Sequence, residues 1–404
     1  MSYRNKFLVI LVSTVLVFYS VVGGLLGRDG GGDGYAPLSI FIEVLGKIQG
    51  VYVEDPNLSK VMHGALLGLL ESLDPYSTYL TAEEYRRYRK TRTSGDGDIG
   101  LDLSKERSLG YIRVIHPIEG SAAEESGVKP GDIIESIDGV TTRNIGLVQA
   151  GYLLSGDVGS KVELKIRRLG RSEPVLMSVS RERSQPPLVR GRLLKGDIGY
   201  LRIPRFAEGV SAATREKLKS LEAQGARKLV LDLRNCGGEA FEEGVGVANL
   251  FLDHGVIAYS EGQKSPRREF VADPGKLASR LPLAVLQNLG SASAAEIVSV
   301  AIKENRRGDI VGVRSFGKAS VQKLFALPGG AAVLLSIYKY YSQSGQVIQA
   351  RGVAPDHEVT GASVHPASGK APDGADSGPK EEDLQLKKAI EILNSPAVPK
   401  REAA

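Results

Sequence analysis

The sequence predicts an α/β domain in the second half of the chain, preceded by a smaller, mostly β domain and a pair of helices. Apolar residues recur at helical spacing over residues 37–73. Short β-rich runs then fill residues 99–183. Beyond the Pro186-Pro187 pair, which can join neither a helix interior nor a central strand, strand-like runs alternate with helical segments. Such alternation favours α/β layers around a largely buried sheet.

The composition is that of an ordinary globular protein of two or three domains. Hydrophobic residues make up 42% of the 404 residues and charged residues 25%. The net charge is only +5, and no block of Lys and Arg interleaved with aromatics occurs, so nucleic acid is not expected as a partner. One cysteine, Cys236, excludes an internal disulfide, and the scattered histidines suggest no metal cluster. We therefore expect neither a metal nor a cofactor.

The N-terminus carries an uncharged apolar run of twenty residues, 7–26, after Arg4 and Lys6. That length can span a bilayer. A cleaved signal peptide would usually have a shorter apolar region and a small-residue cleavage site, so an uncleaved anchor is favoured over a signal. The positive-inside rule keeps Arg4 and Lys6 in the cytoplasm and places everything after Arg28 outside the cytoplasmic membrane. We expect a single-pass protein with its later domains in the periplasm or an equivalent extracytoplasmic space.

Changes in composition divide the chain into five segments. They are a cytoplasmic stub with the anchor or signal (1–28), a spacer with N-terminal helices (29–93), the mostly β domain (94–184), the α/β domain (185–360) and a disordered linker with a final helix (361–404). In the second segment, Asp74-Pro75 breaks a helix, and Thr81 with Glu84 forms a capping box that begins another.

Each domain has recognisable strands and helices. The β domain contains IGLDL, YIRVIHPI, DIIESIDG and KVELKIRR, with helical pieces near 121–126 and 144–154. The α/β domain contains the strand-like runs IGYLRI, KLVLDL, PLAVLQ, DIVGV and AVLLSIYKYYS. Helices are predicted near 210–224, near 242–252 and after Ser293.

The stretch NLGSASAAEIVSVAIKENRRG, residues 288–308, contains the first candidate for chemistry. Ser293 begins the sequence SAAE, which forms a capping box with Glu296. A serine at a helix start is also where a nucleophile can face a carbonyl while backbone N–H groups point at the developing oxyanion. The local sequence leaves both interpretations open.

A serine nucleophile needs a base near pH 7. The histidines are poor candidates because they lie in the N-terminal helices, in the β domain, just after element ends or in the tail: His63, His116, His254, His357 and His365. Lysine is the alternative, because desolvation lowers its pKa toward the working range. Lys318, in VGVRSFGKASVQK, has small and apolar neighbours unlike those of a solvated lysine.

These segments resemble a known family. GSASAAEI followed by FGKASVQ, with Lys318 twenty-five positions after Ser293 and Gln322 four further on, resembles the active-site signature of the C-terminal processing peptidases, or tail-specific proteases. Further segments resemble the family in its order over residues 51–359 and the final helix: LDPYSTYLTAEEY, IGLDL, GVKPGDIIESIDG, LDLRN, VANLFLDHG, SGQVIQARGVAPD and DLQLKKAIEIL. The resemblance implies an α/β protease core of ClpP/crotonase-like layers with an inserted PDZ domain.

The resemblance also implies a catalytic dyad. Ser293 would be the nucleophile, Lys318 the general base and Gln322 the group that orients the lysine. With Ser293 as nucleophile, its hydroxyl cannot also cap, so Glu296 is expected to support the turn. Ser291 is then the structural serine.

The family's oxyanion hole combines two backbone N–H groups. One follows the nucleophile, here Ala294, and the other belongs to a glycine in a turn that usually reads R-N-N-P-G-G. This chain has RNCGGE, which in ungapped register makes Gly238 the donor and places Glu239 at the second glycine. The lost proline and the gained carboxylate alter the turn, and a nearby carboxylate could oppose an oxyanion. Cys236 is not expected to act as a nucleophile, because no base accompanies it.

The PDZ resemblance implies recognition of a peptide tail. Backbone N–H groups of a PDZ loop capture a free C-terminal carboxylate while the peptide adds as a β-strand. Here the loop is expected in DIGLDL, with Ile99, Gly100 and Leu101 presenting amides and an apolar pocket. One of Ile99 and Leu101 is expected to be a core strand residue instead.

The sequence thus favours a serine endopeptidase that cleaves exported proteins near their C-termini. Its partners would be substrates with free C-termini and the membrane, and a homo-oligomer or an activating partner is left open. The alternative is a membrane-tethered PDZ adaptor whose protease fold is weakly active or inactive because of the altered RNCGGE turn. A hydrolase of small esters is a third reading, but it lacks G-x-S-x-G and a histidine partner. Retention of Ser293, Lys318 and Gln322 together favours the enzyme over the adaptor.

Overall fold

The computed structural model describes residues 36–91, 97–106, 108–183, 189–360 and 382–395. The chain divides into two units, Met1–Ala65 and Leu66–Ala404. The apolar run at residues 7–26, the Pro186-Pro187 linker and the tail at 361–379 lie outside the described residues. Within the described part of the chain, no helix is long and apolar enough to cross a bilayer.

The predicted N-terminal helices and the capping box are confirmed. Helix α1 spans Ala36–Val51 and α2 spans Leu58–Glu71. After strand β1 (Thr78–Leu80), the Thr81 N–H donates to Glu84 Oε2 at 2.8 Å and the Glu84 N–H donates to Thr81 Oγ1 at 3.2 Å. This reciprocal pair begins α3 (Ala82–Thr91).

The predicted β domain forms one antiparallel sheet. Its strands pair in the order β2-β3-β4-β6-β7, and β5 pairs with β4. They are β2 (Leu101–Lys105), β3 (Ile112–Pro117), β4 (Ile133–Ile137), β5 (Val140–Thr141), β6 (Lys161–Arg167) and β7 (Val175–Ser180). The short helix α4 (Ala122–Glu125) and α5 (Leu147–Leu154) contribute to a core that includes Val114, Ile134 and Leu164. Strict alternation of buried and exposed residues along β6 reflects one face on the core and one in water.

The predicted buried sheet of the α/β domain is confirmed. Its order is β17-β14-β13-β10-β9-β8, parallel except for the antiparallel edge strand β8. The strands are β8 (Arg190–Leu194), β9 (Ile198–Arg202), β10 (Lys228–Asp232), β13 (Leu283–Gln287), β14 (Asp309–Gly312) and β17 (His357–Glu358). Every residue of β13 is buried, as expected for a parallel strand covered on both faces.

Helices cover the two faces of this sheet. On one face, the buried core contains residues of α6 (Val210–Ala223), α7 (Phe241–Asn249) and α8 (Ala294–Glu304), together with Leu229 of β10. On the other face, Val230 of the same strand packs with α9 (Leu384–Asn394). The helices predicted near 210–224, near 242–252, after Ser293 and at the end of the chain are therefore confirmed.

The structure also contains a second sheet, which the sequence did not predict as a unit. It pairs β1-β16-β11-β12, with β15 also paired to β16. Besides β1, its members are β11 (Val256–Gly262), β12 (Ser265–Val271), β15 (Ser320–Ala326) and β16 (Ala332–Tyr341), and of these five strands only β16 was predicted. The run SPRREFV of β12 is mostly exposed, so its local pattern carries little strand signal, and pairing with β11 stabilises it.

Candidate active site

Ser293 occupies a strained position between β13 and α8. Its φ of 58° and ψ of −121° are unusual for a residue with a side chain, and its hydroxyl makes no capping hydrogen bond. Only half of the predicted capping box forms: the Ser293 N–H donates to Glu296 Oε2 at 3.0 Å, but the Ser293 hydroxyl accepts no capping hydrogen bond. Ser293 is buried, and such strain at a helix start is typical of a catalytic nucleophile.

The neighbouring serine has the structural role expected for it. The Ser291 hydroxyl donates to the Leu233 carbonyl at 2.7 Å and accepts the Asn288 N–H at 2.9 Å. Ser291 therefore ties the turn before the nucleophile to the end of β10.

The Glu296 carboxylate joins the segment of the nucleophile to that of the candidate base. It is fully buried and accepts the N–H groups of Ser293 at 3.0 Å and Lys318 at 2.8 Å. The Gly317 N–H at 2.7 Å and the Ser315 hydroxyl at 2.5 Å complete its contacts. Burial raises the pKa of Glu296 to about 7, although all four donors favour its charged form. The sequence predicted only the contact with the Ser293 turn.

Lys318 has an ionic partner that its sequence neighbourhood did not reveal. Its Nζ lies 2.9 Å from Glu239 Oε1 and 5.0 Å from the centroid of the Tyr76 ring. Burial alone would lower the pKa of Lys318, but Glu239, Tyr76 and Asp102 raise it above its ordinary value. The expectation of a depressed lysine pKa is therefore wrong for this arrangement, because the carboxylate outweighs desolvation.

The two expected oxyanion donors lie next to each other, but the Ala294 N–H is occupied. It donates to the Gly238 carbonyl at 3.3 Å. Gly238 has a φ of +111°, and a Cβ there would lie 2.2 Å from the Phe206 carbonyl oxygen, so this position requires glycine. An oxyanion could use the Ala294 N–H only after the Gly238 carbonyl turned away.

Gln322 lies on β15 and lines the same cavity as Lys318. Its amide nitrogen donates to Ser320 Oγ at 3.0 Å and to Ser336 Oγ at 2.9 Å. Its proposed contact with Lys318 is not among these bonds and remains a prediction.

The cavity that contains Lys318 and Gln322 has a volume of about 360 Å³. Both the α/β domain and the β domain contribute to it, and its apolar lining includes Tyr76, Leu103, Leu147, Phe241 and Leu324. Leu103 lies on β2 and Leu147 begins α5, so this cavity joins the β domain to the segment that carries Lys318.

In the expected tail-binding loop, one of the three residues belongs to the core. Ile99 is fully buried in the β domain, whereas Leu101 is partly exposed at the start of β2. The Gly100 N–H donates to Asp98 Oδ1 at 2.6 Å. Burial raises the pKa of Asp98 above its ordinary value. A terminal carboxylate would have to displace it from Gly100.

The sequence did not predict that three polar residues, Arg205, Asp102 and His116, lie beside the RNCGGE turn. Arg205 Nη1 donates to both Asp102 oxygens, at 3.1 and 3.0 Å, which links the α/β domain to the β domain. His116 is fully buried, and its burial lowers its pKa to about 4, so it is neutral at pH 7. A Cβ at Gly237 would lie 2.7 Å from both His116 Cε1 and Asp102 Oδ2. The RNCGGE turn therefore packs directly on the β domain, which no local sequence signal indicated.

Cys236 is buried in the same turn, and burial raises its pKa to about 12. A thiol with so high a pKa is a poor nucleophile.

Comparison with known proteins agrees with these features. A model described as peptidase family S41 matches residues 197–359, and a PDZ domain model matches residues 113–168. The carboxy-terminal-processing protease of Bartonella bacilliformis is 34% identical over 327 residues, covering 80% of this chain and 75% of that protein. The carboxy-terminal processing protease of Bacillus subtilis is 29% identical over 347 residues, covering 86% and 74%.

Among solved structures, the photosystem II D1 C-terminal processing protease superposes with a TM-score of 0.68 at 27% identity. The match covers 80% of this chain and 93% of that one. The S41 match begins in the segment of β9, ends after β17 and includes Ser293 and Lys318. These findings fit a peptidase better than an inactive PDZ adaptor. The chain belongs to the C-terminal processing peptidases, and it is a serine-type peptidase of family S41 with a PDZ domain.

Proposed function

We propose that this peptidase cleaves exported proteins near their C-termini with Ser293 as nucleophile and Lys318 as general base. The observation that carries the proposal is the shared anchor: the buried Glu296 carboxylate accepts backbone N–H groups of both residues. A common anchor keeps the nucleophile and the base in register, and orientation is a large part of catalysis.

In the proposed reaction, neutral Lys318 accepts the proton of the Ser293 hydroxyl as Oγ attacks the scissile carbonyl. The N–H groups of Ala294 and Gly238 stabilise the tetrahedral oxyanion, each contributing about 3 kcal/mol. The intermediate collapses to an acyl-enzyme as Lys318 returns the proton to the leaving amine. Lys318 then takes a proton from a water molecule that attacks the ester carbonyl, and it passes this proton to Ser293 Oγ as the acid product leaves. Gln322 orients the lysine.

The PDZ domain would bring the substrate tail to this site. The tail would lie between β2 and α5, with its carboxylate on the amides of Gly100 and Leu101 in place of Asp98. The apolar part of the cavity lining, which includes Leu103, Leu147 and Phe241, suits apolar side chains upstream of the tail. Tethering the tail raises the local substrate concentration near Ser293.

Matched peptides with a free or an amidated C-terminus test this function. Amidation removes a charged hydrogen-bond acceptor, so we expect binding to weaken by about 1.5–3 kcal/mol, or roughly ten- to a hundredfold. Cleavage should fall in parallel. Affinity is measured on the Ser293→Ala protein and cleavage on the unmodified protein.

The outcomes separate the competing functions. A drop in both binding and cleavage is the expected result. A drop in binding with no cleavage of either peptide would favour the PDZ adaptor. Equal binding and equal cleavage would show that the protein does not recognise the carboxylate.

We also propose that residues 7–26 anchor the chain in the cytoplasmic membrane with both domains outside. The support is the sequence itself, twenty uncharged residues after Arg4 and Lys6. Protease added to intact spheroplasts should then digest the PDZ and peptidase domains, as followed by immunoblotting. Complete protection in intact spheroplasts, with digestion after lysis, would place the enzyme in the cytoplasm and remove exported proteins as substrates.

A further inference from the structure

Glu239 contacts Lys318, the residue that the proposed reaction needs as a free base. Its Oε1 is 2.9 Å from Lys318 Nζ, and both side chains line the cavity beside the active site. A lysine in this ion pair is protonated, and a protonated lysine cannot accept the Ser293 proton. The contact joins residues 79 positions apart. Glu239 stands at the position of the second glycine in the turn that usually reads R-N-N-P-G-G in this family.

The same turn also occupies the Ala294 N–H, one of the two proposed oxyanion donors. Gly238, the residue before Glu239, directs its carbonyl at the Ala294 N–H. The base and one oxyanion donor are therefore both occupied by adjacent residues of one turn. A single movement of that turn would release both groups.

We propose that Glu239 is a positioning residue that holds Lys318 protonated until substrate enters the cavity. The proposal rests on the Ser293/Lys318 function proposed above and adds a way in which that activity is regulated. With Glu239 paired, the enzyme is at rest; with Glu239 displaced, Lys318 loses its proton at a lower pH and can serve as the base.

The exposure of the two side chains suits a reversible contact. The Glu239 side chain is 66% exposed and the Lys318 side chain 12% exposed. An ion pair with one partner in water is weak, so a peptide entering the cavity can displace the carboxylate at little cost. The lysine, enclosed by the cavity, remains in position.

Other charged groups near Lys318 do not replace Glu239. Tyr76 faces the ammonium with its ring, and burial raises the pKa of its phenol, so it is neutral at pH 7. Asp102 is already paired with Arg205, and neutral His116 lies behind it. The Glu296 carboxylate is engaged by backbone N–H groups and the Ser315 hydroxyl. Glu239 is therefore the one carboxylate, within the described residues, that is hydrogen-bonded to the Lys318 ammonium.

The test compares the full-length protein with its Glu239→Gln variant. The pH profile of kcat/KM is measured with an internally quenched peptide, and Glu242→Gln is the matched control because Glu242 is exposed and pairs only weakly, at 3.4 Å, with Arg268. In Glu239→Gln, we expect the rising limb to move about 0.5–1 pH unit lower and the rate at pH 7 to rise about three- to tenfold. Glu242→Gln should follow the unmodified profile.

A second measurement does not depend on activity. In a Ser293→Ala background, the Lys318 ammonium is titrated by NMR with labelled lysine, its resonance assigned by its loss in Lys318→Arg. The Lys318 pKa should fall when Glu239 is replaced by Gln or, as a second variant, by Ala.

Coincident rising limbs, or an unchanged Lys318 pKa, would overturn the proposal even if Ser293 and Lys318 prove to be catalytic. Failure of the catalytic assignment would appear differently, as cleavage that survives Ser293→Ala. The two failures are therefore distinguishable.

Discussion

Replacing Ser293 or Lys318 with alanine is expected to abolish peptide cleavage, with a loss on the order of 10⁴-fold or more in kcat/KM. The reason is chemical, since one change removes the attacking oxygen and the other its base. Thermal unfolding should change little, because the Ser293 hydroxyl caps no helix and the Lys318 partner is largely exposed. Cleavage assays and melting curves of the two variants check this expectation. Lys323→Ala, an exposed lysine on the same strand as Gln322, is the control and should retain activity.

The pH dependence of the unmodified enzyme provides a further check on the base. The proposed base Lys318 has a raised pKa and would act only when neutral, so activity should rise from about pH 6 toward pH 9. Glu296 adds to this trend, because its carboxyl is largely protonated below its pKa of about 7 and then accepts fewer hydrogen bonds. Substantial turnover by Ser293→Ala or Lys318→Ala would rule out the dyad. Loss of activity in a folded His254→Gln or His357→Gln variant would redirect the search for the base.

Replacing Glu296 with glutamine is expected to damage both stability and catalysis. Four donors converge on this buried carboxylate, and an amide of the same shape has one acceptor oxygen and an NH₂ group that faces other donors. We expect unfolding to be easier by about 2–4 kcal/mol, since buried donors lose their partners. Activity should fall roughly 10²-fold or more, because Ser293 and Lys318 lose their common anchor.

Denaturant unfolding and steady-state kinetics measure the two effects separately. Glu296→Asp keeps the charge and should recover part of the lost kcat, whereas Glu261→Gln, an exposed glutamate on β11, should change neither quantity. If Glu296→Gln unfolded like the unmodified protein and kept its kcat, the shared anchor would have no functional meaning.

Local patterns in the sequence determined most of the secondary structure. Apolar periodicity predicted α6, α7 and α8, because a helix that buries one face repeats its apolar residues with the helical period. Near-continuous apolar runs predicted the strands β9, β10 and β13, because a parallel strand in this sheet is covered on both faces. The Thr81/Glu84 capping box was readable because its two hydrogen bonds join residues three apart. Most strands of the second sheet, such as β12, escaped detection because pairing partners stabilise them more than their own sequence pattern does.

The sequence also determined the residue types of the candidate site and the spacing between Ser293, Lys318 and Gln322. It did not determine which of the site's groups are charged or which are already hydrogen-bonded. The charge of Lys318 depends on Glu239, the freedom of the Ala294 N–H depends on Gly238, and the amide of Gly100 depends on Asp98. The first two contacts join residues far apart in the chain.

Only the tertiary structure decides such contacts, because electrostatic and hydrogen-bonding energies change steeply over a few ångströms. The desolvation that lowers a lysine pKa and the carboxylate that raises it act through space, and the sequence around Lys318 revealed the first without the second. The sequence therefore determined which groups this peptidase carries, and the fold decided that the candidate base Lys318 contacts a carboxylate from a turn packed on the PDZ domain.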